Sequence, residues 1–171
     1  MPPSQATSVC GPAPCTFSFG GQEPIVSLID FHPPNRPSLA DQTMQSLLSE
    51  LLSYGVFPTR SMTRSLFCAA QAFEAMADET LSPQLHLSSL DPGVGKTTLI
   101  RHFIMALLAS PHHVEVSVLV CVSRLEEIET MLAGLSPYQS EVSVWTGDEA
   151  TNTKTSTTPQ EARILLTTHQ K

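Results

Sequence analysis

The chain has 171 residues, 41% of them apolar and 15% charged. That is room for one domain of ordinary size with a tail, and enough apolar matter to exclude a wholly disordered chain. Nine Lys and Arg against 16 Asp and Glu give a formal charge of -7. This excludes a general electrostatic binder of nucleic acid, though not a local basic strip.

Residues 1–40 hold eight of the 14 prolines together with Gly20 and Gly21. They read as a mostly irregular arm in which only residues 25–31 could form a short strand. No secretory signal opens the chain, and no run approaches the ~20 apolar residues of a membrane span. The expectation is a soluble, cytoplasmic protein with no membrane partner. The cysteines at 10, 15, 68 and 121 lack a second pair at metal-ligand spacing and read as reduced thiols.

Residues 41–82 read as a helical lead-in. Asp41 is a candidate N-cap for a helix carrying Met44, Leu47, Leu48, Leu51 and Leu52, ended by Gly55 and Pro58. A second helix follows over about 61–77. From residue 83 the pattern alternates. Strands are predicted at 84–87, 114–122, 142–145 and 164–167, and helices at 96–109 and 125–135. The 114–122 run is apolar and β-branched, the mark of a strand buried on both faces. Alternation of this kind predicts an α/β fold around a parallel sheet. The chain ends at Lys171 directly after a strand, so the expectation for 83–171 is a partial domain.

The chemistry concentrates in Leu90-Asp91-Pro92-Gly93-Val94-Gly95-Lys96-Thr97-Thr98. A strand is predicted before it and a helix after it, the setting of a phosphate-binding P-loop. Gly93 and Gly95 let backbone N–H groups turn inward, and the helix N-terminus adds its dipole. Lys96 supplies a cation to β- and γ-phosphate oxygens. The Thr97 hydroxyl can join the shell of a Mg²⁺ that bridges them. Leu90 departs from the pattern, which places Gly or Ala there. A Gly-rich turn with a chance Lys-Thr is the bland alternative.

In order along the chain come this loop, VLVCVSRLEEI at 118–128, VSVWTGD at 142–148 and ARILLTTHQ at 162–170. Together they resemble the first motifs of a superfamily-two helicase ATPase core of the DEAD/DEAH-box kind. The resemblance implies a RecA-like P-loop NTPase sheet, ATP and Mg²⁺ as cofactors, and single-stranded nucleic acid as a weakly held partner. It implies nucleotide contacts from Asp91, Pro92, Gly93, Val94, Gly95, Lys96, Thr97 and Thr98, with Lys96 and Thr97 in the catalytic machinery. Gln71, 25 residues before Lys96, matches a position that reads the adenine edge, or is a solvated helix residue. Ser123, Arg124, Thr167 and Thr168 match positions that touch the nucleic-acid backbone. Ser123 also suits an N-cap, with Glu126 completing a capping box. Thr167 and Thr168 also suit a plain strand end.

The acidic Walker B motif and the C-terminal helicase half with its arginine finger are expected beyond Lys171, so the resemblance implies little or no hydrolysis by this chain alone. Asp148-Glu149 lies in a polar stretch and is not promoted to that role. His112-His113 read as loop histidines and Trp145 as core. The alternatives are a non-catalytic nucleotide-binding remnant, or another P-loop ATPase such as an AAA-type loader or a packaging motor.

Overall fold

Ser38 caps the first described helix. Its hydroxyl accepts the Asp41 N–H at 3.2 Å, and α1 runs Leu39–Ser53. The cap is therefore Ser38, and Asp41 lies inside the first turn. The structure is a computed structural model that describes residues 38–82, 85 and 93–169. The expected strand at 25–31, nearly all of that at 84–87, and the arm up to residue 37 lie outside the described residues.

Thr59 caps α2, Arg60–Ala77, by accepting the Met62 N–H. The first helix after the glycine loop is α3, Lys96–Ala109, with the limits its sequence predicts. Then follow β1, Val118–Val122, α4, Leu125–Gly134, β2, Val142–Trp145, a short α5, Glu149–Asn152, and β3, Ile164–Thr168. The three strands form a parallel sheet in the order β1-β3-β2. The chain is thus α/β, with helices packed on a small parallel sheet.

One sheet face is the core. Val120, Val142, Val144, Ile164 and Leu166 pack with Ile104 and Leu108 of α3 and with Ile128 and Met131 of α4. The alternating positions face the other way. Leu119 is 62% exposed and Cys121 is exposed. So β1 is not buried on both faces, and it is shorter than its apolar run. Residues 114–117 precede it in a turn closed by the Val116 N–H to the His113 carbonyl at 3.0 Å. Trp145 shares this open side and is 65% exposed, so it is not core.

The helical layer is tied by polar contacts as well as by apolar ones. The buried Glu74 carboxylate of α2 accepts from the Ser38 hydroxyl and from the Leu39 and Ala40 amides, at 2.9, 2.8 and 3.3 Å. It closes the orphan donors at the start of α1. Phe73 of α2 meets Phe103 of α3 with ring centroids 5.3 Å apart. Leu47, Leu51, Leu66, Ala70 and Leu99 join the three helices.

The N-terminal edge of the sheet is likewise held structurally. His113 is buried, its ring nitrogens on Ser110 Oγ at 2.8 Å and Asp78 Oδ1 at 3.0 Å. It is a loop histidine that serves as a buried strut. Arg163 donates to the His113 carbonyl at 2.7 Å and to Glu141 at 2.6 Å. Cys68 is disulfide-bonded, against the expectation of reduced thiols, while Cys121 is free.

Candidate phosphate-binding site at the strand ends

The glycine loop enters α3 through two left-handed residues. Gly93 has φ 83° and Gly95 has φ 90°. A Cβ at either position meets nothing within 4 Å. The demand for glycine is therefore conformational and not a matter of space. Gly95 is the N-cap, and the first helical bond runs from the Leu99 N–H to its carbonyl at 2.8 Å. No side chain caps this end, and its first turn contains no acid. Lys96 occupies the first helical position, where a cation opposes the helix dipole. An uncapped N-terminus with a lysine in its first turn is electropositive, which suits an anion.

The end of β1 faces the same place. Thr97, Ser123, Arg124, Leu125, Glu126, Glu127 and Thr130 line one cleft of about 700 Å³. Two helix starts, those of α3 and α4, thus open onto a shared space. Thr97 thus shares a cleft with Ser123 and Arg124.

The cap of α4 differs from the expected Ser123–Glu126 box. Arg124 is the N-cap, and the Glu127 carboxylate accepts from the Ser123 and Arg124 amides at 3.0 and 3.3 Å. Glu127 sits three residues after the cap, so it supplies the returning half of such a box. That spacing was the available signal for Glu127. The backbone of this corner is clasped, while the Ser123 hydroxyl and the Arg124 guanidinium have no hydrogen-bond or ion-pair partner among the described residues.

At the next strand, Val122 pairs with Thr168 and Trp145 with Thr167. Thr168 therefore ends beside the strand that delivers Ser123. The Thr167 hydroxyl donates to the Trp145 carbonyl at 2.6 Å. His169 reaches the Val122 carbonyl through its ring Nδ1 at 3.1 Å. Neither threonine lines the cleft. Gln71 is half-buried in the middle of α2 and does not line it either. Val94 and Thr98 are half-buried on either side of the α3 start. Asp91 and Pro92 lie outside the described residues.

Asp148 is fixed by a local task. It caps α5, accepting from the Thr151 hydroxyl at 2.6 Å and the Thr151 amide at 2.8 Å. Those bonds hold its carboxyl below the ordinary value. Among the described residues no group of three His, Cys, Asp or Glu side chains could hold a metal ion. No helix among them is long and apolar enough to cross a membrane. The chain matches no protein-family model, no curated protein and no solved structure.

Proposed function

We propose that this chain is the nucleotide-binding part of a helicase-type P-loop ATPase that acts on single-stranded nucleic acid. The observation that supports it is the turn Gly93–Gly95. It is left-handed twice and leads into an uncapped helix whose second residue, Thr97, shares a cleft with Ser123 and Arg124. The residues present fit a nucleoside triphosphate. Backbone amides around Gly93, Val94 and Gly95 would cradle the phosphates, with Lys96 neutralising their charge and Thr97 and Thr98 offering N–H and hydroxyl donors. The Thr97 hydroxyl is the group that would help to hold a Mg²⁺, which would supply neutralisation of the phosphate charge.

Ser123, Arg124 and Thr168 form the nucleic-acid side of this reading. They stand at the carboxyl ends of adjacent parallel strands, where open α/β sheets take ligands. Thr167 has a smaller part, because its hydroxyl is already donated to Trp145. A ribbon of two or three phosphate contacts is compatible with an acidic chain, since it needs only local charge.

Calorimetry with MgADP and MgATP on the whole chain is the test, run beside Lys96→Ala and Thr97→Ala. The expected result is measurable binding that falls tenfold or more in Lys96→Ala. Equal affinity in wild type and Lys96→Ala overturns the reading.

A further inference from the structure

The turn between α1 and α2 carries the largest run of exposed apolar side chains among the described residues. Tyr54 is 72% and Phe57 80% exposed, with Leu52 and Val56 exposed beside them. The turn is internally bonded. Gly55 donates to the Leu52 carbonyl and Val56 to the Leu51 carbonyl, both at 2.9 Å, and Gly55 takes the left-handed conformation with φ 74°. The two rings are therefore carried on a shaped support and not on a loose loop.

The charge beside them is positive, although the chain is acidic overall. Arg60 is exposed at the first position of α2, whose first turn holds no acid. The last acid of α1, Glu50, is taken up by Arg101 and His102. The same pairing fixes where the turn lies. Leu39 at the start of α1 packs on Phe103, Ala106 and Leu107, while Glu50 near its end meets Arg101 and His102. So α1 runs antiparallel to α3. Leu51, near the C-terminus of α1, shares an apolar cluster with Leu99 in the first turn of α3.

We propose that Tyr54, Phe57 and Arg60 form a stacking platform for unpaired bases of a single nucleic-acid strand. Aromatic faces accept any base, and a neighbouring guanidinium takes the phosphate. A membrane is the less favoured occupant. One short turn with a single cation gives only marginal lipid attachment. The platform rests on the nucleic-acid partner named under the proposed function but on different residues, so its failure leaves the nucleotide site and its calorimetric test untouched.

Fluorescence anisotropy on the full chain tests it, with labelled oligothymidylate of about 20 nucleotides and an abasic oligomer with the same number of phosphates. Phe57→Ala should weaken oligothymidylate binding about tenfold and leave the abasic oligomer unchanged. Phe57→Trp should restore binding, and Phe57→Leu should not. These positions are exposed, and a matching circular-dichroism melt will confirm the fold. Loss of Arg124 should weaken both oligomers alike. Equal effects of Phe57→Ala on both oligomers, no effect on either, or no oligothymidylate binding by the wild type overturns the platform. Binding to phosphatidylglycerol vesicles that is lost in Phe57→Ala, with oligothymidylate binding intact, overturns it in favour of a lipid surface.

Discussion

His102 and Glu50 meet across the α1–α3 interface, with Nε2 of the ring 2.7 Å from the carboxylate. The His102 Nδ1 atom is buried without a partner. That arrangement suits a neutral ring that donates from Nε2 and keeps a bare lone pair at Nδ1. Burial lowers the His102 pKa from 6.5, and the Glu50 bond offsets only part of this. For Glu50, burial pushes upward from 4.5, but hydrogen bonds from Arg101 and His102 outweigh it and hold the carboxyl below that value.

Both shifts predict acid sensitivity. A group whose folded pKa is depressed takes up its proton more readily when unfolded, so acid favours the unfolded chain. The His102 contribution is present above its ordinary value of 6.5 and is lost as pH falls below it. The Glu50 contribution follows below 4.5. Urea midpoints should therefore fall as the pH is lowered from about 7.5 to about 5.5, a window of about one unit either side of the histidine value. His102→Gln, whose amide can still donate to Glu50, should flatten that slope. A wild-type midpoint independent of pH over this window sinks the argument.

Glu74 predicts a cost out of proportion to its single charge. Its carboxylate is buried and serves the Ser38 hydroxyl and two amides of α1. Glu74→Ala leaves those donors without their acceptor and should destabilise by about 2–3 kcal/mol. Glu74→Gln keeps one acceptor oxygen and should cost less than half of that. Denaturant unfolding followed by circular dichroism checks the order, and a Gln variant worse than the Ala variant is the contrary result.

Gly134 explains itself through Arg101. It ends α4 with ordinary helical backbone, yet a Cβ there lies 2.2 Å from Arg101 Cδ. Arg101 cannot simply swing aside, because its guanidinium is paired with Glu50. Gly134→Ala should cost about 1–3 kcal/mol. In an Arg101→Ala background the same change should cost under about 0.5 kcal/mol, so the two effects are coupled. Additive effects in the double-mutant cycle contradict the contact.

Much of this was legible in sequence, and the misses share a cause. The α3 limits could be read because Gly95 and Lys96 mark a local conformational event. The expected core stripe of α1 was legible at Met44, Leu47 and Leu51, which repeat with helical spacing, whereas Leu52, expected with them, is exposed. What one strand's letters do not carry is what covers it. The apolar run 114–122 and Trp145 both suggest burial, but among the described residues only the face shared with Val120 and Val144 packs on the helices of the core. Non-local polar partners were also invisible. Nothing near Ser38 announces that Glu74, 36 positions away, completes its cap. At α4 the misreading was of one position: Arg124 and Glu127 hold the corner where Ser123 and Glu126 were expected.

The nucleic-acid side of the proposed site makes a graded prediction. Arg124 projects from a corner whose backbone Glu127 already satisfies, and its guanidinium has no partner among the described residues. Binding a phosphate there breaks no internal ion pair. Each such contact contributes a slope of about 0.7 in log affinity against log salt for a single strand. Arg124→Ala should reduce the slope by about that amount and weaken all sequences alike. Thr167→Val is the internal control. Its hydroxyl is donated to the Trp145 carbonyl, so its loss should lower stability and leave the slope unchanged. Thr168→Val, at the register position beside Val122, should weaken binding without altering the slope, because it removes a neutral donor. An Arg124→Ala slope equal to that of wild type, across a salt series in which binding is measurable, removes Arg124 from the strand's path.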